Sequence, residues 1–146
     1  MVYLKYRINK LEKEKLSPQC NNISKFTNED EYKLVRAIEV FNNEIRWEDM
    51  WTLDIALTRL ASGWILNVLR LENQIQGWTW LDTDLYYIRN VYVTKPYRNK
   101  GWGNNLVKAT TLEAQRRGIV QIYSEVDEWN LPSLTMFKNL GWSNVH

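Results

Sequence analysis

One cysteine, Cys20, is all that this chain of 146 residues contains, so no intramolecular disulfide can form and no cysteine-based metal cage can be built. A reducing compartment is the natural setting. The sole histidine, His146, is terminal and leaves Cys20 without an activating partner, so in the polar stretch around Pro18 it reads as an inert thiol. No constellation of metal-ligating residues stands out. Long apolar runs are missing too. None reaches the ~18 residues of a membrane span, and Met1 to Lys15 is too charged for the apolar core of a signal peptide. The expectation is a soluble, cytoplasmic protein. Charge of one sign is equally scarce: 19 basic residues against 17 acidic ones leave a formal +2, too weak a field to draw a polyanion. A nucleic-acid role has no support from charge. Repeats and low-complexity tracts are absent.

What is present suffices for one compact domain, since 45% of the residues are apolar and 13% aromatic. Residues 1–22 read as an N-terminal extension, with an alternating edge strand from Val2 to Ile8 and then a charged linker ending in turn formers around Pro18. Residues 23–146 read as the main domain. It opens with a short strand over Ile23 to Phe26. Thr27-Asn28-Glu29-Asp30 has the capping side chain and early acids of a helix start, with Leu34, Val35, Ile38 and Phe41 at helical spacing. Trp47, Met50, Trp51, Leu53, Leu57 and Leu60 predict a second helix, ended by Ser62-Gly63. Beyond it, Trp64 to Leu71, Ile75 to Leu81 and Tyr86 to Val93 are β-branched and aromatic, separated by polar turns, and predict an antiparallel meander. A helix from about Asn104 to Arg117, a strand from Ile119 to Val126 and a helix from Pro132 to Leu140 complete the pattern. A strand, turn, helix and strand in that order form a crossover, which sets Tyr86 to Val93 beside and parallel to Ile119 to Val126. The fold class is α/β (α+β), a mixed central sheet flanked by helices.

Between Val93 and the third helix lies Lys95-Pro96-Tyr97-Arg98-Asn99-Lys100-Gly101-Trp102-Gly103. Its two glycines let main-chain N–H groups face a ligand, and the helix start adds unpaired donors and partial positive charge. A phosphate or pyrophosphate suits such a mouth, with Arg98 and Lys100 adding charge. A Gly-x-Gly alone fits equally well a tight turn that merely starts a helix. A dinucleotide site would want a third glycine where Leu106 stands, and a nucleotide P-loop would want Gly-Lys-Ser/Thr, which is missing.

The arrangement Val93-x4-Arg98-x-x-Gly101-x-Gly103 on strand, turn and helix resembles the acetyl-CoA pyrophosphate motif of the Gcn5-related N-acetyltransferase superfamily. A second segment in register, Glu125-Val126-Asp127-Glu128-Trp129-Asn130-x-x-Ser133-x-x-x-Phe137-x-x-x-Gly141-Trp142, resembles that of the ribosomal-protein N-terminal alanine acetyltransferases. The resemblance implies acetyl-CoA as cofactor. The backbone of Val91, Tyr92 and Val93 would pair with the pantetheine arm where the fourth and fifth strands splay apart. Arg98, Asn99, Lys100, Gly101, Trp102, Gly103 and Asn104 would form the pyrophosphate turn, and Asn130 would bond the pantetheine or the region of the thiol. The implied activity is direct transfer of an acetyl group to a primary amine, on a small molecule or on a peptide or protein N-terminus.

Acetyl transfer asks for a base, a polarising donor and a stabilised leaving thiolate. Glu125 matches the position of the family's general base; its other reading is a glutamate that pairs with a helix or orients Asn130. Asp127 and Glu128 are alternative bases or plain solvated charges. Phe137 stands where many family members have a tyrosine that protonates the thiolate, so Ser133 or another hydroxyl such as Tyr123 would substitute, the thiolate would leave unassisted, or the domain would bind coenzyme A without turnover. The chain also stops four residues after Trp142, where the family usually adds two strands. The open sheet edge this implies would be filled by Val2 to Ile8 or by a neighbouring copy in a homodimer. The acceptor surface is expected from the loop between the first two helices and from the segment after Trp142. Eight tryptophans suggest a ligand cage, but Trp47 with Trp51 at helical spacing and Trp78 with Trp80 on one strand face read as core packing. Trp102, where the family has an aliphatic residue, is expected beneath the turn or over the cofactor.

Overall fold

The computed structural model describes residues 1–8, 17–23, 27–44 and 50–145. Its strands are β1 (Val2–Arg7), β2 (Cys20–Asn22), β3 (Ile65–Leu71), β4 (Gln74–Asp82), β5 (Tyr87–Val93), β6 (Gln121–Val126) and β7 (Ser143–Asn144). Its helices are α1 (Asn28–Asn42), α2 (Leu53–Ala61), α3 (Trp102–Arg116) and α4 (Leu131–Asn139). The strands form a single mixed sheet in the order β2-β3-β4-β5-β6-β1-β7. No described helix is long and apolar enough to cross a membrane.

The helices start where side chains satisfy orphan amides. Thr27 accepts from the Asp30 N–H at 3.1 Å to open α1, and Thr52 accepts from the Ile55 N–H at 3.1 Å to open α2. α2 thus begins at Leu53, later than the tryptophan spacing predicts. Trp51 precedes the helix and stacks on Trp80 with ring centroids 4.8 Å apart, while Trp47 lies outside the described residues.

Two-residue alternation divides the sheet residues between two cores. Leu66, Val68, Trp78, Trp80 and Tyr92 pack against Leu34, Ala37, Ile38, Phe41 and Ala56 of α1 and α2. Ile65, Leu81, Ile88, Ile122 and Val126 face the other way, toward Val107 and Ala114 of α3 and Phe137 of α4. The shared face expected for Trp78 and Trp80 is observed, and both are buried.

Three local readings change. The turn formers read as the end of a linker contain a strand, Cys20–Asn22, on the edge of β3; Ile23 adds one more bond to Leu66, and the rest of the strand expected over Ile23 to Phe26, residues 24–26, lies outside the described residues. Cys20 is consequently a buried strand residue opposite Leu69, not a loop thiol, because its neighbours Leu69, Leu106 and Ala109 offer an apolar pocket that the local sequence does not reveal. Burial pushes its thiol up to about 11. The sheet edge beyond β6 is covered by the chain itself: β1 runs antiparallel to β6 from Val2↔Val126 to Arg7↔Gln121, with Leu4 fully buried. After Trp142, Ser143–Asn144 form β7, which pairs with β1 through Leu4↔Asn144 and Lys5↔Ser143. The gap beside β6 is thus filled by the first of the two expected means, the chain's own N-terminal strand.

What positions the site is the junction of β5 with β6. They pair in parallel only at Tyr87↔Tyr123 and Ile88↔Ser124, after which they diverge. The register of β5 on β4 shifts between Trp80 and Leu81, leaving Arg89 as an extra residue. Such a bulge sharpens the local twist and turns β5 away from its neighbour.

Candidate functional site

The divergence of β5 and β6 opens a cleft of about 1040 Å³, a little above the usual range for a small-molecule pocket. Val91 and Tyr92 form one wall and Ser124, Glu125 and Val126 the other. Asn130, Ser133 and Phe137 close one end, and Phe41, Trp51, Ile55 and Trp64 come from the α1/α2 side.

The exposed edge of β5 follows from ladder geometry. Thr94 donates its N–H to Gln76 on β4 at 2.9 Å, and in an antiparallel ladder successive residues alternate sides. Tyr92 therefore turns its main-chain groups to Trp78 on β4, whereas Val91 and Val93 turn theirs to the side that β6 has left. Of the three backbones named from the sequence, Val91 and Val93 face this edge, the Val93 carbonyl there accepting from the Arg98 side chain. Tyr92 contributes its side chain instead.

At the end of β5 a 3-10 turn, Lys95–Tyr97, leads into the glycine turn. Asn99 and Gly101 both have left-handed backbones, with φ of 61° and 85°. A Cβ on Gly101 would meet nothing within 4 Å, so the glycine answers to its dihedral and faces open space. Gly103 answers to closeness, since a Cβ there would lie 3.2 Å from the Met136 sulfur of α4 and 3.8 Å from Val91. The outcome is a run of main-chain donors: among the described residues, no acceptor receives an N–H from Asn99, Lys100, Gly101, Trp102, Gly103 or Asn104. Uncommitted consecutive N–H groups at the start of a helix attract an anion. Trp102 packs beneath this turn against the cluster of Leu69, Leu106 and Ala109, and the exposed Lys100 holds its ammonium 6.0 Å from the Tyr97 ring.

Arg98 departs from the sequence reading. Its Nε donates to the Val93 carbonyl at 2.7 Å, and its Nη2 is paired with Glu44, just past the end of α1. The Tyr92 hydroxyl donates to the other Glu44 oxygen at 2.8 Å. Burial pushes the Glu44 carboxyl up, but donors from Arg98 and Tyr92, with the charges of Arg98 and Lys95, outweigh it and hold the group below the usual carboxylate range. The Tyr92 phenol is raised by its burial first and by Glu44 second.

On the opposite wall, Ile122 and Val126 belong to the α3/α4 core, so the intervening Tyr123 and Glu125 stand on the α1/α2 face. Glu125 is exposed in the cleft with no ion-pair partner among the described residues, as are Asp84 and Asp127. Arg89 is committed to Asp82 at 3.1 Å, and the Arg59 guanidinium lies 4.6 Å over the Trp64 ring. Asn130 caps α4, its Oδ1 accepting from the Ser133 N–H at 3.3 Å. Phe137 is buried edge-on to Trp142 with centroids 4.8 Å apart. The Tyr123 ring packs on Tyr87, its hydroxyl accepts from Gln121, and it does not line the cleft.

Sequence reasoning missed Ser124, Asp84 and the α2-side wall of Ile55, Arg59 and Trp64, and it read Glu44 only as part of the polar loop after the first helix, not as the partner of Arg98 and Tyr92. None of these lies in a motif; they meet only when the sheet closes. Of the segment after Trp142, expected at the acceptor surface, the described residues Ser143–Val145 do not line the cleft, because they pair with β1 on the far side of β6, and His146 lies outside the described residues.

The acetyltransferase (GNAT) family model matches residues 24–142. L-ornithine N5-acetyltransferase NATA1 of Arabidopsis thaliana is 29% identical over 56 residues, which are 38% of this chain and 25% of that protein. A GCN5-related N-acetyltransferase of Sphaerobacter thermophilus superposes with a TM-score of 0.71 at 17% identity, over 99% of this chain and 48% of that one. A putative streptothricin acetyltransferase of Bacillus anthracis, solved with acetyl coenzyme A, has a TM-score of 0.50 at 27% identity, over 53% of this chain and 46% of its own. The chain thus spans a quarter to a half of the length of these relatives.

Proposed function

Because the chain belongs to the acetyltransferase (GNAT) family, we propose that it moves an acetyl group from acetyl-CoA directly to a primary amine held in the cleft between β5 and β6. The observation that carries this reading is the run of uncommitted N–H groups from Asn99 to Asn104, placed directly after a strand with a free edge. These donors fit a pyrophosphate, and the main-chain groups of Val91 with the N–H of Val93 fit an extended amide-bearing arm laid along β5. When bound, acetyl-CoA supplies an activated thioester.

The remaining steps belong to the chain. Glu125 would take one proton from the acceptor's ammonium through water, freeing the nitrogen lone pair to form the C–N bond as the C–S bond breaks, and the second nitrogen proton would pass to the departing thiolate through the Ser133 hydroxyl or solvent. An N–H on the free β5 edge, from Val91 or Val93, polarises the carbonyl oxygen. Ser133 supplies the hydroxyl nearest in role to the missing tyrosine, and Asn130 fixes the start of α4 beside it. A thiolate whose conjugate acid has a pKa near ~8.5 departs readily even with weak help. The acceptor enters from the α1/α2 side. Asp84, Glu125 and Asp127 favour molecules carrying ammonium groups, and Trp51, Ile55 and Trp64 cover their apolar parts.

Transfer across a panel of small amines and peptide N-termini tests the proposal. Glu125→Gln should lower kcat by about 10²-fold or more while acetyl-CoA still raises the melting temperature. Unchanged turnover would remove Glu125 from the mechanism. A second reading, a coenzyme A-binding module without turnover, is favoured by one feature: Phe137 fills the end of the cleft with a ring that has no proton to give. Stabilisation by coenzyme A with no transfer to any amine would select it.

A further inference from the structure

The Arg98 side chain, the most obvious cation at the phosphate turn, is engaged elsewhere. Both oxygens of Glu44 are occupied, one by the Tyr92 hydroxyl at 2.8 Å and the other by the Arg98 guanidinium, and Arg98 reaches on to the Val93 carbonyl at 2.7 Å. Glu44 is 54 residues from Arg98 and 48 from Tyr92, so this contact ties the end of α1 to the last residues of β5. Glu44 lies at the surface, but its side chain is turned in against these two partners, with 18% of it exposed. Tyr92 is held from a second direction as well, its ring edge-on to Phe41 with centroids 5.0 Å apart.

The chain of contacts ends on an atom of interest. The Val93 carbonyl points to the side that β6 has vacated, the same edge assigned above to the pantetheine arm. We propose that Glu44 is a positioning residue for acetyl-CoA, holding Arg98 on the Val93 carbonyl and Tyr92 on β4 so that the free edge of β5 keeps the geometry the pantetheine arm needs. The inference rests on the acetyl-CoA reading of the cleft. It assigns Arg98 to the protein's own backbone and leaves the pyrophosphate to main-chain N–H groups and Lys100. A carboxylate that serves two donors at once holds more than an isolated surface ion pair, because losing it leaves both the Tyr92 hydroxyl and the Arg98 guanidinium without that acceptor.

Two pieces of the cofactor separate this role from a general loss of structure. Pantetheine reads the β5 edge, and 3′-phosphoadenosine diphosphate reads the turn. Glu44→Ala should weaken pantetheine binding about tenfold and leave 3′-phosphoadenosine diphosphate within about twofold, as expected for the loss of one charge-assisted bond. Arg98→Ala should do the same, and the double variant should be no worse than either single one, since both break one clasp. Glu44→Gln keeps an acceptor for Tyr92 without the charge that holds Arg98, so it should lose less than Glu44→Ala; it also serves if the alanine variant does not fold. Equal weakening of both fragments, or loss of the diphosphate fragment alone in Arg98→Ala, would overturn the assignment. If coenzyme A leaves the unmodified chain's melting curve unchanged, the acetyl-CoA reading falls first; if it binds and Glu44→Ala keeps full pantetheine affinity, only the role of Glu44 falls.

Discussion

Replacing Gly101 separates two demands that the phosphate turn places on one residue. Its φ of 85° costs an L-residue with a Cβ about 1–2 kcal/mol, whereas asparagine tolerates the left-handed region at lower cost. Nothing lies within 4 Å of an added Cβ, so no packing penalty joins the conformational one. For 146 residues an unfolding entropy of about 2.1 cal/mol/K per residue gives roughly 0.3 kcal/mol/K, so Gly101→Ala should lower Tm by about 3–6 °C. Gly101→Asn should recover most of that. If the open space is where the pyrophosphate lies, both variants put a side chain into it, and acetyl-CoA affinity should fall about tenfold or more in each. Thermal unfolding with and without acetyl-CoA reads both effects, because at 100 times Kd a ligand adds about 2.7 kcal/mol to the folded state. An asparagine variant that binds like the unmodified chain would refute the reasoning, since the open side of the turn would then not face the cofactor. A loss well above 2 kcal/mol in Gly101→Ala would refute it differently, by making the turn a packed strut.

Leu4→Ala, at a fully buried site on β1, should cost about 2–5 kcal/mol in denaturant unfolding, because the strand covers β6; a loss under 1 kcal/mol would mean that β1 contributes little. Stability should decline as pH rises from about 9, since Cys20 in the folded chain titrates only near 11 and the unfolded chain releases its proton first. That decline amounts to about 2–3 kcal/mol by pH 11, Cys20→Ala should remove it, and the raised Tyr92 phenol adds to it above pH 10. At the acid end, the lowered carboxyls of Asp30 and Glu44 stabilise the fold above the usual carboxylate range, and that stability should be lost as pH falls through their folded values. For Asp30, burial pushes the group up and the Arg70 and Thr27 donors bring it down further, so Arg70→Ala should shift the acid midpoint upward in pH.

The amino-acid order by itself determined what depends on neighbours in the chain. Thr27 capped a helix because its hydroxyl reaches the amide three residues on, and the meander from Ile65 to Val93 followed from β-branched and aromatic runs broken by polar turns. The crossover after Val93 fixed a parallel pair, and two glycines with left-handed or crowded backbones marked the turn proposed to hold phosphate. Only the tertiary structure decided how that turn is used. Side chains 48 and 54 residues apart along the chain meet at Glu44, and their long-range pairing spends Arg98 on the β5 edge rather than on a ligand. Cys20 looked polar in its local setting and is buried because β2 lies over Leu69 and α3. The gap beside β6 was legible as a need, but β1 meets it through contacts more than 100 residues distant, which no periodicity encodes. Side-chain period tells a residue which face it occupies; only the closed sheet tells it what stands opposite.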